Sequence, residues 1–271
     1  MRKEQLEPEI YVCVGEAYQA NATALINGDE VLLIDGLASR QDAEELRSFI
    51  EDELKKQVRL ILCTHYMSDH IAALKLFPKA HIVAHKNYLQ TFNSQKSLSE
   101  EERASFVPPT IEISDGAVIR WGRLTLDVFH NPGKTVSSLN IDIPEADLLI
   151  VGDEIFGNTT FLSSAGVPEM FSRALKRLQK RGRSRVVPGH MGVQSGQSLK
   201  NAQFYLESLQ THVERARRST AGESSILEIP IENCLAPQVE ASDFEKEYHQ
   251  INLRLIIERG LFLPLIESRA S

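Results

Sequence analysis

Three features of the sequence predict a layered α/β protein built from two similar halves. β-rich runs alternate with helical patterns through the first third, a second block of strands fills the middle, and helices follow each block. The runs "EIYVCVG" and "ATALINGDEVLLIDG" are rich in β-branched residues, and the "NGD" between two apolar stretches signals a hairpin. In "QDAEELRSFIEDELKKQ", Leu46, Phe49, Ile50 and Leu54 share one helical face. "VRLILCTH" is nearly continuous apolar chain, as expected of a strand covered on both sides. The spacing in "SDHIAALKLF" predicts a helix capped by Ser68 or Asp69. "HIVAH" is a further strand, and "KNYLQTFNSQKSLSEEERASF" is a polar helical stretch stopped by Pro108-Pro109.

The middle block reads as five strands: "TIEIS", "AVIRW" after a turn at Asp115-Gly116, "RLTLDVFH", "SLNIDI" and "DLLIVGD". "PEMFSRALKRLQKR" is a helix, "SRVVPGH" a short strand, and "GQSLKNAQFYLESLQTHVERARR" a long helix. The expected boundaries are one domain over 1–219 and an extension over 220–271 that packs on it. That extension comprises a strand at "SSILEIPI" and a helix at "SDFEKEYHQINLRLIIER". The last helix carries Phe244, Tyr248, Ile251, Leu255 and Ile256, an apolar face suited to its own domain, to covering a site, or to a homodimer.

The 271 residues suffice for a substantial core, and 42% hydrophobic with 25% charged residues is the balance of a soluble globular protein. No apolar run is long enough to span a bilayer, and "MRKEQLEPEI" is charged, so the expected compartment is the cytoplasm, without membrane attachment. Three scattered cysteines argue against a disulfide framework. A net charge of -7 argues against a nucleic-acid partner, and the expected partner is a small-molecule substrate. "KRLQKRGRSR" holds six cations in ten residues and is read as a helix C-terminus whose dipole favours them.

Metal-ligand residue types gather just past β-rich runs. His65, Asp69 and His70 follow "VRLILCT", Asp153 follows "DLLIVG", and His190 follows "RVVPG". Strand ends of this kind converge on one edge of a sheet, where α/β proteins place their sites. Two imidazoles and two carboxylates suit zinc or iron, with room left for water.

The ordered motifs "VLLIDG", "THYMSDH", "HNPGKT", "VGDEIFG" and "VVPGHMG" resemble the successive signatures of the metallo-β-lactamase superfamily, over about residues 10 to 215. The resemblance implies a four-layered αββα sandwich of two mixed β-sheets flanked by helices, with metals at one edge. Two departures stand out. Met67 lies where the second His of the His-x-His-x-Asp-His motif belongs, and Lys134 lies where "PGHT" supplies a His. Carried over by position, the first metal site keeps only His65 and a shared Asp153, whereas the second keeps Asp69, His70, Asp153 and His190. A thioether is a poor ligand for zinc or ferrous iron, and an ammonium coordinates nothing. The expected cofactor is therefore one divalent metal per chain, zinc ahead of iron or manganese, with His65 as a further ligand candidate.

Lys134 places a positive charge near the lost metal, suited to a substrate carboxylate or oxyanion, unless it points to solvent. His65 is read as a hydrogen-bond partner or proton shuttle, and Asp69 or Asp153 as the base. His130, Asp35 and Tyr66 are read as supporting residues, and His81, His85, His212 and His249 as ordinary ones. The resulting function is hydrolysis of an ester, thioester, lactone, amide or phosphoester by one metal-bound hydroxide, since a metal lowers the pKa of its water to about 7. The alternative is a non-catalytic or regulatory binding protein that retains the fold and a structural metal.

Overall fold

The computed structural model describes residues 1–163, 166–220 and 222–263. Its first sheet runs β1 (Arg2–Glu7), β2 (Ile10–Val14), β3 (Asn21–Asn27), β4 (Glu30–Ile34), β5 (Gln57–Leu62), β6 (His81–His85) and β7 (Ile111–Ile113), in spatial order β1-β2-β3-β4-β5-β6-β7. The first four strands pair antiparallel, and the steps from β4 to β7 are parallel. The second sheet contains β8 (Gly116–Trp121), β9 (Leu124–His130), β10 (Leu139–Ile143), β11 (Leu148–Gly152), β12 (Arg185–Pro188) and β13 (Gln194–Ser195), ordered β13-β12-β11-β10-β9-β8. Only its β11–β12 step is parallel.

Side-chain alternation explains why these strands form layers. In β4, Leu32 and Ile34 enter the core between the sheets, while Val31 and Leu33 face outward. That outer face packs on α1 (Arg40–Ser48) and the turn behind it, through Leu46, Phe49 and Ile50. In β11, Leu148 and Ile150 meet the first sheet, whereas Leu149 and Val151 meet α4 (Pro168–Gln179) and α5 (Gln197–Arg218). A strand buried on both faces has no polar side to show, hence the near-continuous apolar runs. The result is the four-layered αββα sandwich.

Several local expectations are corrected. β1 is a polar edge strand held by its pairing to β2, and its charged composition hid it. "SDHIAALKLF" forms two 3-10 turns, Ser68–His70 and Leu74–Leu76, instead of a helix. The loop after β4 takes the backbone groups a helix would use: Gly36 N–H donates to His70 O at 2.7 Å, and Ala73 N–H donates to Gly36 O at 2.9 Å. The polar stretch 86–106 splits into α2 (Tyr88–Asn93) and α3 (Glu100–Ala104), the latter opened by a Ser99–Glu102 capping box. The tail "SSILEIPI" is not a strand. It forms 3-10 turns at Gly222–Glu228 and Ile231–Asn233, which send Ile226, Ile229 and Ile231 into a cluster with α5.

α6 (Asp243–Arg259) joins that cluster through Leu253 and Ile256, so the tail packs on the sandwich. Behind them runs a directed hydrogen-bond chain. His249 Nε2 must carry the proton, because its partner at 2.8 Å is the Ile229 carbonyl. Nδ1 therefore accepts from Tyr205 O–H at 2.9 Å, and Tyr205 in turn accepts from Asn252 at 3.0 Å. Burial pushes the His249 pKa down, against the pull of the Ile229 carbonyl. At this imidazole the unfolded chain thus binds more protons below about pH 6.5, so the part of the stability owed to His249 should fall as pH drops through that value. Urea midpoints of both proteins at pH 7.5 and 5.5 check this: His249→Gln should cost more stability at pH 7.5 than at pH 5.5, because the opposite contributions of the raised His70 and His190 are common to both proteins.

Candidate metal centre

The ends of β5, β11 and β12 meet at one edge of the two sheets. Leu139 N–H donates to Thr64 O and Gly189 N–H to Gly152 O, each at 2.7 Å, which ties the loop after β5 to the second sheet and the β11 and β12 ends together. Gly152 has φ +52, and a Cβ there would come within 2.7 Å of Thr64 Oγ1. Both the left-handed backbone and the close approach require glycine.

This edge brings Asp69, His70, Asp153 and His190 together, with one ligand atom from each lying within 4.8 Å of all the others. His70 Nε2 is 3.2 Å and His190 Nε2 3.3 Å from Asp153 Oδ1, and His190 Nε2 is 3.4 Å from Asp69 Oδ2. Yet His70 Nε2, His190 Nε2 and Asp153 Oδ1 are buried without a hydrogen-bond partner. These atoms face a common point and do not bond one another. Native proteins rarely leave such groups unsatisfied, and this donor set fits a divalent metal.

The surroundings fix each of these side chains. His190 Nδ1 donates to the Tyr18 carbonyl at 2.8 Å, which turns Nε2 towards the other three side chains. Tyr18 and Gln19 both have positive φ, 54° and 49°, so the strap that supplies this carbonyl is itself strained. Asp35 accepts from Thr64 N and Thr64 Oγ1, both at 2.7 Å, and its Oδ2 faces His70 Nδ1 at 3.7 Å. Ser68 N donates to Gln95 at 2.9 Å and Ser68 Oγ to Glu102 at 2.8 Å, which anchors the Asp69–His70 turn to the 88–104 segment.

Lys134 is the main surprise. It does not point to solvent: its residue exposure is 2%. Its Nζ donates to Asp153 Oδ2 at 2.9 Å and lies 4.9 Å from the Phe156 ring centre and 4.4 Å from that of Phe161. His65 Nε2 stands 3.6 Å from the same Oδ2. Asp153 therefore turns one oxygen to the histidine pair and the other to an ammonium. His65 Nδ1 pairs with Thr64 Oγ1 at 3.0 Å; that hydroxyl's proton goes to Asp35, so Nδ1 donates.

Burial opposes ionisation of Asp153, but the Lys134 ammonium and the surrounding imidazoles hold its carboxyl well below the usual range. Asp69 is also lowered; burial acts against this, and His70 and His190 prevail. Conversely, Asp153 and Asp69 overcome burial to push His190 up to about 10, and they raise His70. A metal at these nitrogens must displace protons at neutral pH, so its affinity should rise with pH. Burial lifts Glu154 to about 8, and its carboxyl accepts from Lys134 N–H at 3.2 Å.

The other sequence candidates lie elsewhere. His130 stacks on His85 at 4.0 Å, and Tyr66 O–H donates to the Val107 carbonyl. His81 contacts Thr110, and His212 contacts Asn233. Met67 is partly exposed. Sequence reasoning missed Glu154, which sits beside Asp153 with no pattern to mark it as buried. It also missed Phe156 and Phe161, where the only cue was aromatic residues flanking a Gly-Asn turn.

Gly189 gives a sharp test. A Cβ there would lie 2.0 Å from Asp153 Oδ1 and 2.8 Å from His70 Cε1. Gly189→Ala must displace the central carboxylate, so it should lose bound metal and about 1–3 kcal/mol of stability. Metal content and thermal melting of the purified variant check both.

A family model described as the metallo-beta-lactamase superfamily matches residues 15–190. A type 2 metallo-beta-lactamase of Bacillus cereus is 25% identical over 186 residues, covering 65% of this chain and 68% of that protein. A hydroxyacylglutathione hydrolase of Bartonella henselae is 25% identical over 151 residues, 54% of each. Among solved structures, a metallo-beta-lactamase family protein from Thermus thermophilus superposes with TM-score 0.69 at 18% identity, covering 94% of this chain and 95% of that one. A metallo-beta-lactamase from Pontibacter korlensis gives 0.61 at 17%, covering 73% and 95%.

Proposed function

This chain belongs to the metallo-β-lactamase superfamily, and from that membership we propose that it is a hydrolase holding one divalent metal on Asp69, His70, Asp153 and His190. The observation that carries the reading is the division of Asp153. Its Oδ1 faces two unpartnered imidazole nitrogens, while its Oδ2 is held by the Lys134 ammonium. In the two-metal arrangement that the motifs resemble, this aspartate bridges both ions; here a fixed organic cation takes one side. Zinc suits the donor set of two imidazoles and two carboxylates.

A divalent ion held by these four residues would supply Lewis acidity, lowering the pKa of a water it polarises to about 7. The protein's own groups do the rest. Asp69 is the carboxylate open to solvent, its side chain 25% exposed, and it takes the proton of the attacking water. Asp153, with both oxygens engaged and its side chain 1% exposed, positions and does not titrate. Lys134 keeps Asp153 ionised and fixes its orientation. His65, its Nε2 buried 3.6 Å from Asp153 Oδ2, relays the proton taken by Asp69 to the leaving group.

Generic ester, thioester, lactone and phosphodiester substrates, assayed with metal-loaded and chelator-stripped protein, test the proposal. Turnover should vanish on stripping and return with one equivalent of metal. Equal turnover by the stripped protein would overturn it.

A further inference from the structure

Four aromatic rings border the metal centre, and they come from two distant segments. Phe156 and Phe161 follow β11, whereas Phe244 and Tyr248 lie one turn apart on α6. Phe156 is 4.6 Å and Phe244 6.0 Å from the His190 ring. Tyr248 joins the set, 4.7 Å from Phe161, 4.6 Å from Phe244 and 5.1 Å from Phe156. Phe156 is buried, but Phe161, Phe244 and Tyr248 each keep partial exposure. The partly exposed charge beside them is the Asp69 carboxylate, its side chain 25% exposed.

The two segments are latched at regular intervals. Glu245 accepts from Asn158 N–H at 2.7 Å. Asn252 bonds Leu162 N and Thr160 O, both at 2.8 Å. Arg259 donates to Ser163 O at 2.6 Å and to Gly166 O at 2.7 Å. These residues recur every seventh position of α6, on one stripe, so helix and loop present their rings as a single preformed wall.

Resting on the hydrolase reading above, we propose that this wall is an acyl subsite, and that the substrate is an uncharged carboxylic ester or thioester with a short hydrocarbon or aryl acyl group. The acyl chain lies on Phe161, Phe244 and Tyr248, and the carbonyl faces Asp69 and His190. Two facts favour an uncharged group. The Lys134 ammonium is already bound to Asp153 and covered by two rings, and the solvent-facing charge is the anionic Asp69. Water adds to the carbonyl carbon, and the bond from carbon to the leaving oxygen or sulfur breaks. The water's proton goes to the departing alkoxide or thiolate, giving an acid and an alcohol or thiol. The leaving group departs towards solvent, so the part held by the fixed wall is the acyl chain.

Esters sharing one leaving group, with acetyl, butanoyl, hexanoyl and phenylacetyl chains, test this on metal-loaded protein. Removing one methylene from water gives about a fourfold gain, so kcat/KM should climb more than tenfold from acetyl to hexanoyl. Calorimetric binding of the product acids should strengthen in the same order. Phe244→Ala and Phe161→Leu should each lower the hexanoyl value at least tenfold more than the acetyl value, with metal content retained. The second variant guards against an unlatched helix in the first. Turnover with a flat or falling series, or variants that leave the slope intact, would overturn the subsite and leave the hydrolase reading standing. No turnover of any ester by loaded protein would overturn the subsite, and the hydrolase reading falls with it only if the thioester, lactone and phosphodiester substrates are also left intact.

Discussion

His190→Ala protein should leave purification with a small fraction of the metal carried by the unaltered chain. Its Nε2 is aimed by the Tyr18 carbonyl on Nδ1 at 2.8 Å, and it meets Asp69 Oδ2 and Asp153 Oδ1 at 3.4 and 3.3 Å. A complete four-ligand zinc site is worth on the order of 10 kcal/mol. Loss of one ligand in four then removes about 2–3 kcal/mol, or roughly a hundredfold in affinity. Asp69→Ala and His70→Ala should act alike. Met67→Ala should leave metal content unchanged, because no ligand atom is removed. His65→Ala separates two readings: retention of metal makes His65 a proton carrier, and loss makes it a ligand. Elemental analysis after dialysis against a weak chelator decides each case, and full retention in His190→Ala would sink the assignment.

The clustering of Asp69, His70, Asp153 and His190 was legible because each motif is a short polar cluster after an apolar strand, and parallel strand ends must meet at one sheet edge. The layers were legible because inward and outward faces are both apolar in β4, β5 and β11. What stayed hidden depends on contacts distant in sequence. Ser68–His70 carries helical spacing, but Gly36, more than thirty residues earlier, captures its backbone groups. Ile229 and Ile231 alternate like a strand, yet with Ile226 they pack on the apolar face of α5. Phe244 and Tyr248 showed their shared helical face at once. That the face opposes Phe156 and His190 could be learned only from the latch of Glu245, Asn252 and Arg259 onto Asn158, Leu162 and Ser163. Lys134 was ambiguous for a simpler reason: four rotatable bonds let an ammonium reach either solvent or the site.

With its destination known, Lys134 makes a strong prediction about stoichiometry. The unaltered protein should bind one metal per chain, and Met67→His combined with Lys134→His should bind two. An ammonium about 6 Å from a divalent ion repels it by roughly 5 kcal/mol at an effective dielectric of 20, before neighbouring carboxylates cancel part of that. Lys134 Nζ also sits 2.9 Å from Asp153 Oδ2, the oxygen a second ion would need. Replacing Lys134 alone removes the repulsion but leaves a buried carboxylate oxygen without its partner, a loss that typically costs about 3–5 kcal/mol. Lys134→Ala should therefore be markedly less stable and still bind one metal. Met67→His alone adds a ligand but keeps the cation, so it too should stay at one. In the double variant, imidazoles at positions 67 and 134 join His65 Nε2, already buried and unpartnered, and a second ion takes over the ammonium's bond to Asp153. Stability lost in Lys134→Ala should return in the double variant only when metal is supplied. Calorimetric titration and melting curves of the four proteins, each with and without zinc, measure both effects. Two tight equivalents in the unaltered protein would show that Lys134 yields its place to a metal, and the one-ion reading would fall.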